Sequence, residues 1–405
     1  MHRAARAAPL QNERYWDSMT SVTRDPQRIH YMDNLRAIAM LLGVYLHAAL
    51  AYAETSRQVW LATDSQGSVL IDASIWAIHL FRMSLFFLLA GYFSKLLVHR
   101  RGLKLFLWNR VMRIALPFVL FYPLLLLAMV GAIVFALQYL TQPLGLMQLI
   151  AAASQNPEAA ESAPPWSTMH LWFLYYLLMF SLIAAIASRW TWLTFDWLIQ
   201  RPWLLFISPL ALLPGALGGG VPLAAPESFI PDWWPFLFYG LFYFAGWQLF
   251  GRESLLDRWQ PWCWPLCWLS AVLFVPYYRS FPVLDLAMIR ADSLPLDPTS
   301  YFLECILTAY LGAMLTIAAL LLGQRFLSHS NGWLKFYADS SYWVYLVHLP
   351  IVVLLQTLLI PMAWPVWVKL SFVLLTTWLF CLATYVAFVR YTVIGWMLNG
   401  KRKFS

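Results

Sequence analysis

Asp33-Asn34-Leu35-Arg36-Ala37-Ile38-Ala39-Met40-Leu41-Leu42-Gly43-Val44-Tyr45-Leu46-His47 is an apolar run with one guanidinium near its start and one imidazole at its end. Read as a helix, eleven residues at ~100° each bring Arg36 and His47 to within about 20° of one direction, about 16 Å apart along the axis. A run of this kind crosses a bilayer. An ionisable group there costs at least ~2.5 kcal/mol on insertion scales, so both groups should face the interior of a helix bundle and have a task.

The rest of the chain supports a membrane reading. Its 405 residues are 61% hydrophobic and only 11% charged, unlike any soluble globular domain. The 23 Trp and 20 Tyr suit interfacial belts, where an apolar ring carries a polar tip. Apolar runs long enough to span lie at roughly 33–53, 71–96, 111–140, 169–188, 197–214, 233–250, 261–278, 301–324, 337–360 and 364–391. The expectation is an all-α integral membrane protein, a bundle of about ten transmembrane helices. Pro209, Pro214, Pro235, Pro261 and Pro265 break or bound the fifth to seventh runs. Three segments follow: a basic N-terminal stretch at 1–30, a transmembrane domain at 31–395 and a basic tail at 396–405.

Charge sets the expected sidedness. Of 27 Lys and Arg, 21 fall on the side of the N-terminus, three on the other side (Arg57, Arg279, Arg290) and three within spans (Arg36, Arg82, Lys369). This asymmetry predicts an even number of spans with both termini in the cytoplasm, and it accounts for the net charge of +8 without nucleic acid. The first 30 residues lack an apolar core, so no cleavable signal peptide is expected. Cys263, Cys267, Cys305 and Cys381 form no CxxC pair, so packing roles are expected, with no disulfide framework and no metal site. The outer loops at 141–168 and 276–300 are candidates to cover a site open to the outside.

Depth along each span follows from the 1.5 Å rise. His47 lies roughly 20 Å from the inner edge, His79 about 10 Å and Arg82 about 15 Å below the outer edge, and His348 near mid-depth. His47 is the candidate general base, since an imidazole with an ordinary pKa of ~6.5 can take a hydroxyl proton near neutral pH. The competing reading is an interhelical hydrogen bond. Arg82, three residues after His79, either meets an anionic substrate group or pairs with Glu304 to hold helices together. Glu304 is a candidate catalytic group that orients His47 or serves as an acid. Arg110 and Arg113 put two guanidinia on one face at the cytoplasmic mouth, either to bind phosphate or to act as ordinary positive-inside charge or an anionic-lipid contact. Asp33 is placed to cap a helix or to bind Arg36. His170, at the outer edge, is a candidate acceptor contact.

At these residues the chain resembles the membrane acyltransferase-3 family. The family pattern of Arg, ten residues and His in the first span is matched by Arg36 and His47, and its R-x-x-R motif by Arg110 and Arg113. Three further stretches resemble members that succinylate osmoregulated periplasmic glucans: His79-Leu-Phe-Arg82-Met-Ser-Leu-Phe-Phe-Leu-Leu-Ala-Gly91-Tyr-Phe-Ser94, His170-Leu-Trp-Phe-Leu174 and Ser341-Tyr-Trp-Val-Tyr-Leu-Val-His348-Leu-Pro350. Ala90 departs from the family, where Ser commonly precedes the Gly. The resemblance implies a membrane O-acyltransferase of the bacterial inner membrane. The acyl-CoA co-substrate, expected to be succinyl-CoA, binds at Arg36, Arg110 and Arg113. The acyl group or the glucan acceptor is held by His79, Arg82, His170 and His348. Membrane lipids are the expected surroundings, with a homodimer as an option. The alternatives are an O-acetyltransferase of another surface polysaccharide or lipid-linked sugar, or a transporter of an anionic or acylated solute.

Overall fold

The computed structural model describes residues 27–155, 167–188, 204–281, 283, 296–329 and 332–399. The basic segment before Gln27, residues 189–203, the tail from residue 400 and parts of the expected outer loops 141–168 and 276–300 lie outside the described residues. What is described is mostly helical, with connecting loops and one antiparallel bridge between Ser167 and Ser228. The principal helices are α1 (Gln27–Ala49), α2 (Val69–Arg110), α3 (Leu116–Tyr139), α4 (Leu146–Gln155), α5 (Trp172–Ala187), α6 (Leu204–Ile207), α7 (Leu213–Gly219), α8 (Trp234–Leu249), α9 (Ser254–Trp259), α10 (Cys263–Arg279), α11 (Pro298–Phe326), α12 (Gly332–Leu359), α13 (Val366–Thr384) and α14 (Val393–Asn399).

Among the described residues, six helical stretches are long and apolar enough to cross a bilayer, against the ten expected. Part of the difference is continuity. The second and third expected spans run together from Val69 to Tyr139, because the link between them is itself helical. That stretch bends at Gly102, whose φ of 76° is free to a residue without Cβ, and again through the π-helical turn Val111–Ala115. The other part is length. α8 and α10 hold only 16 and 17 residues, short of the ~20 that a perpendicular crossing needs. The described part of the run 197–214 is broken into α6, the 3₁₀ turn Ser208–Leu212 and the start of α7, with Pro209 and Pro214 at the breaks.

Large apolar side chains face outward along these helices, among them Leu127 (70% exposed), Trp268 (72%) and Leu379 (66%). Water would not tolerate so much apolar surface, whereas lipid does. Inside, α2 packs most extensively on α8, and α1 on α12. A Cβ on Gly91 of α2 would strike the carbonyl of Tyr243, and one on Gly246 of α8 would strike the carbonyl of Leu88. The two glycines thus let two backbones touch directly, the close approach that drives helix association where no hydrophobic force operates. Gly323 of α11 likewise receives the side chain of Leu35 from α1. Asn34 donates its amide to Leu327 O at 2.8 Å, satisfying a carbonyl at the end of α11. α1 is therefore enclosed by α2, α11 and α12.

The segment between α1 and α2 is a folded loop whose Ala53, Ala62, Thr63 and Asp64 are buried. Lys369 of α13 reaches into it. Its Nζ lies 2.6 Å from the Asp64 carboxylate, both side chains being at most 2% exposed. Neither charge was assigned this partner by sequence. The pair holds the loop onto the bundle and so fixes Trp60, which faces the site described next.

Candidate functional site

The floor of the site is made by three imidazoles from three different elements. His47 closes the last turn of α1, His348 sits in α12, and His170 lies in the short 3₁₀ turn Met169–Leu171 that leads into α5. The ring centres of His47 and His348 are 5.3 Å apart, as are those of His348 and His170. Trp60 stacks on His47 with centres 5.7 Å apart and planes 25° from parallel. Sequence gave similar depths for His47 and His348, and the fold makes them neighbours.

Proline chemistry explains how His170 is held. Pro350 in α12 has no N–H, so the carbonyl of Leu346, four residues earlier, loses its helical donor. His170 Nε2 bonds that carbonyl at 3.0 Å. Because a carbonyl only accepts, Nε2 carries the proton and Nδ1 presents a lone pair, buried without a partner. His348 is fixed in the same way. Its Nδ1 donates to Tyr345 O at 2.8 Å and Val344 O at 3.0 Å, leaving Nε2 as a buried, unpartnered acceptor. The Tyr345 hydroxyl donates to His170 O at 2.6 Å and closes the cluster. The spacing His348-x-Pro350 was the signal in the sequence, and only the freed carbonyl gives it meaning.

Arg82 approaches from α2. Its guanidinium lies against Gly43, one turn before His47 on α1, where a side chain would collide with it. Arg82 is within electrostatic reach of His47, His79 and His348. Its Nε is buried without a hydrogen-bond partner, and no carboxylate among the described residues pairs with it. Glu304 is not brought to Arg82 or to His47. Its carboxylate meets Ser280 beside α10, with Tyr277 and Cys305 nearby. Of the two readings of Arg82, the Arg82–Glu304 pair is therefore absent among the described residues, because α11 turns Glu304 towards α10. His79 lies within electrostatic reach of His47, and its own contacts point elsewhere. Its Nε2 donates to Leu223 O at 2.9 Å and its ring meets Trp76 edge-on, so it ties α2 to the loop before α8.

At the other end of the bundle, Arg36, Arg110 and Arg113 line one cavity of about 470 Å³, joined by Arg100 and Arg101. That size falls within the range of small-molecule sites. Phe86, Phe173 and Leu174 make its apolar wall, and Tyr345 belongs to both the cavity and the histidine cluster. Arg110 is over the Phe106 ring at 5.0 Å and its Nε is buried unpartnered. Arg113 donates to Asn399 O at 3.1 Å, so part of its work is to hold α14. Asp33 is no helix cap, since α1 begins at Gln27; it pairs with Arg36 at 3.3 Å across a half-exposed i,i+3 contact worth little energetically.

A basic cavity with an apolar wall and a cluster of imidazoles with free lone pairs thus meet at Tyr345, which lines the one and touches the other. Residues 29–391 match the acyltransferase-3 family profile, described as an acyltransferase domain. The chain belongs to this family. It is a membrane acyltransferase, helical and multi-pass. Among curated proteins it is similar to Glucans biosynthesis protein C of Salmonella heidelberg (strain SL476), at 26% identity over 344 residues, covering 80% of this chain and 82% of that protein. The protein of the same name from Salmonella typhimurium (strain LT2) matches equally, at 26% over 344 residues. No solved structure matches the chain. Gly43 and Tyr345 stand inside stretches the sequence singled out but were given no role there, and Trp60 and Gln356, whose amide bonds Trp60 and the end of α1, carried no signal because neither is charged.

Proposed function

We propose that this protein transfers an acyl group, succinyl in the first instance, from a cytoplasmic acyl-CoA to a hydroxyl of a periplasmic glucan. The observation that carries this reading is the residue the two places share. Tyr345 lines the cavity of Arg36, Arg110 and Arg113, and its ring lies 6.4 Å from that of His348. Guanidinium forks suit the phosphates of CoA, and an apolar wall suits its thioester arm.

In this reading His47 takes the proton of the acceptor hydroxyl, and the oxygen attacks the thioester carbonyl. The tetrahedral adduct collapses, the C–S bond breaks, and the thiolate recovers the proton from His47. His348 Nε2 and His170 Nδ1 accept hydrogen bonds from neighbouring hydroxyls of the sugar. Arg82 meets the terminal carboxylate of a succinyl group, since an anion in low dielectric needs a fixed cation. Glu304 lies too far from this chemistry in its contacts to share it and is read as a structural group. The similarity to proteins named Glucans biosynthesis protein C supports a glucan acceptor. The 21-to-3 charge split supports an even number of crossings of the bacterial inner membrane with both termini cytoplasmic.

The test uses purified protein in lipid with succinyl-CoA or acetyl-CoA and a neutral periplasmic glucan, read by mass spectrometry of the glucan. Succinylation is expected, falling ~10²-fold or more in His47→Ala. Arg110→Ala should raise KM for the donor, with Arg113→Ala weaker in this respect because its side chain also serves α14. Arg82→Gln should depress succinyl transfer far more than acetyl transfer. Acceptor left unmodified while the protein moves a labelled solute across the bilayer would make it a transporter.

A further inference from the structure

Gln356 of α12 is buried to within 1% exposure and has every hydrogen-bonding atom of its amide in use. Nε2 donates to His47 O and to Ala48 O, both at 2.9 Å, and Oε1 accepts the indole N–H of Trp60 at 2.9 Å. These partners are unusual in combination. His47 and Ala48 belong to the last turn of α1, where helix carbonyls run out of intrahelical donors. In a membrane interior no water stands in, and an unmet carbonyl is costly. The one side chain that fills this need also grips the indole that stacks on the His47 ring. His47 is thus held by its backbone through Gln356, on one face of its ring by Trp60, and on another side by His348.

We propose that Gln356 and Trp60 are positioning residues that fix the His47 imidazole for proton transfer. The inference rests on His47 acting as the base, and it deepens that reading. The backbone bonds set where α1 ends, which sets the origin of the His47 side chain. The indole then limits rotation of the ring, so that its free nitrogen stays directed at the acceptor hydroxyl. Holding a base in place acts on the chemical step and leaves binding of the donor at the far mouth of the cavity untouched. Trp60 further covers the imidazolium formed during transfer with the face of a π system, an interaction favourable to a cation.

The experiment compares Gln356→Met, Trp60→Phe, Trp60→Leu and the Gln356→Met/Trp60→Phe pair, as full-length protein in lipid. Gln356→Met keeps volume and loses all three hydrogen bonds. Trp60→Phe keeps a stacking ring and loses the indole N–H. Trp60→Leu loses the ring. The expected result for Gln356→Met is a kcat reduced ~10-fold or more with KM for acyl-CoA within twofold. Trp60→Phe should be milder than Trp60→Leu. The double variant should be little worse than Gln356→Met, because both substitutions remove the same Trp60–Gln356 bond. Unchanged kcat in both Gln356→Met and Trp60→Leu overturns the proposal while leaving His47 as base. A raised KM with unchanged kcat overturns it too, and assigns the pair to donor binding. If Gln356→Met fails to fold, the order of the two Trp60 variants decides alone, and equal activity in them refutes the positioning role. A His47→Ala protein of near-normal turnover removes the base itself and the proposal with it.

Discussion

Replacing Lys369 with Met should loosen the loop that covers the site, and replacing Asp64 as well should mend it. The two charges sit 2.6 Å apart and both are almost fully buried. At an effective dielectric of 20, Coulomb's law gives about 6 kcal/mol of attraction at that distance. Much of this is offset by stripping water from both groups, several kcal/mol per ion. The asymmetry matters more than the net. Lys369→Met leaves the Asp64 carboxylate buried with only the Gln66 N–H, 3.0 Å away, to satisfy it. A buried charge without its partner costs ~3–5 kcal/mol, enough to shift the loop's opening equilibrium by roughly two to four powers of ten. Asp64→Asn strands the Lys369 ammonium instead, with the Ile360 carbonyl 3.5 Å away and an amide oxygen to accept from it, and should cost about as much. Lys369→Met with Asp64→Leu removes both charges and should return within ~1 kcal/mol of the parent or exceed it. The assay is thiol labelling of a cysteine placed at Ser56, a buried position in this loop, as a function of denaturant. Transfer activity should follow the same order, because the loop carries Trp60. A double variant as open as Lys369→Met, or Lys369→Met as closed as the parent, would refute the reasoning.

Gly91→Ala should prevent α2 from seating on α8, whereas Gly131→Ala, with nothing within 4 Å of its added methyl, should be neutral; the yield of monodisperse protein after extraction separates them. Pro350→Ala gives Leu346 O a backbone donor in competition with His170, so the helix should gain stability while transfer falls; a more active variant would contradict the role given to the freed carbonyl. In the loop outside the spans, burial pushes the Glu227 carboxyl above its usual 4.5, against the lowering effect of the bond that Ser167 donates. An acid whose folded value is raised adds stability below its unfolded pKa and loses it as pH rises through the folded value. Thermal unfolding of Glu227→Gln and the parent should therefore agree in relative terms near pH 4 and diverge upward in pH, the parent becoming the weaker.

The sequence carried the helices and the polar face of α1 because both are periodic. Apolar runs mark spans whatever their neighbours, and eleven residues return a helix to the same side, so Arg36 and His47 could be aligned without knowing the bundle. Lys369 was also legible as an anomaly, since a cation in an apolar run needs a buried partner. Its partner was not, because Asp64 lies 305 positions away in a loop that reads as solvent-facing. Glu304 shows the opposite case. Its charge invited a place beside His47 or Arg82, but which acid meets which base depends on helix rotation, and α11 directs it to Ser280. Gln356 carried no signal at all, since a single amide in an apolar helix looks the same whether or not three bonds depend on it. The short α8 and α10 lowered the number of clear spans because hydropathy measures composition over a window, and Pro235 and Pro265 delimit helices that the window runs through.

The glycine contact between α2 and α8 has a bearing on how matter moves through this protein. Where backbone lies on backbone, sliding by even a fraction of a turn would drive Leu88 or Tyr243 into the neighbouring chain, so the two helices act as one rigid wall. Arg82 and the apolar side of the cavity are built on that wall. A carrier that rocks between two faces needs its halves to shear past each other, and this seam opposes such shear. In the proposed transfer the reactants would then have to come to a standing site, with neither half of the protein rocking against the other.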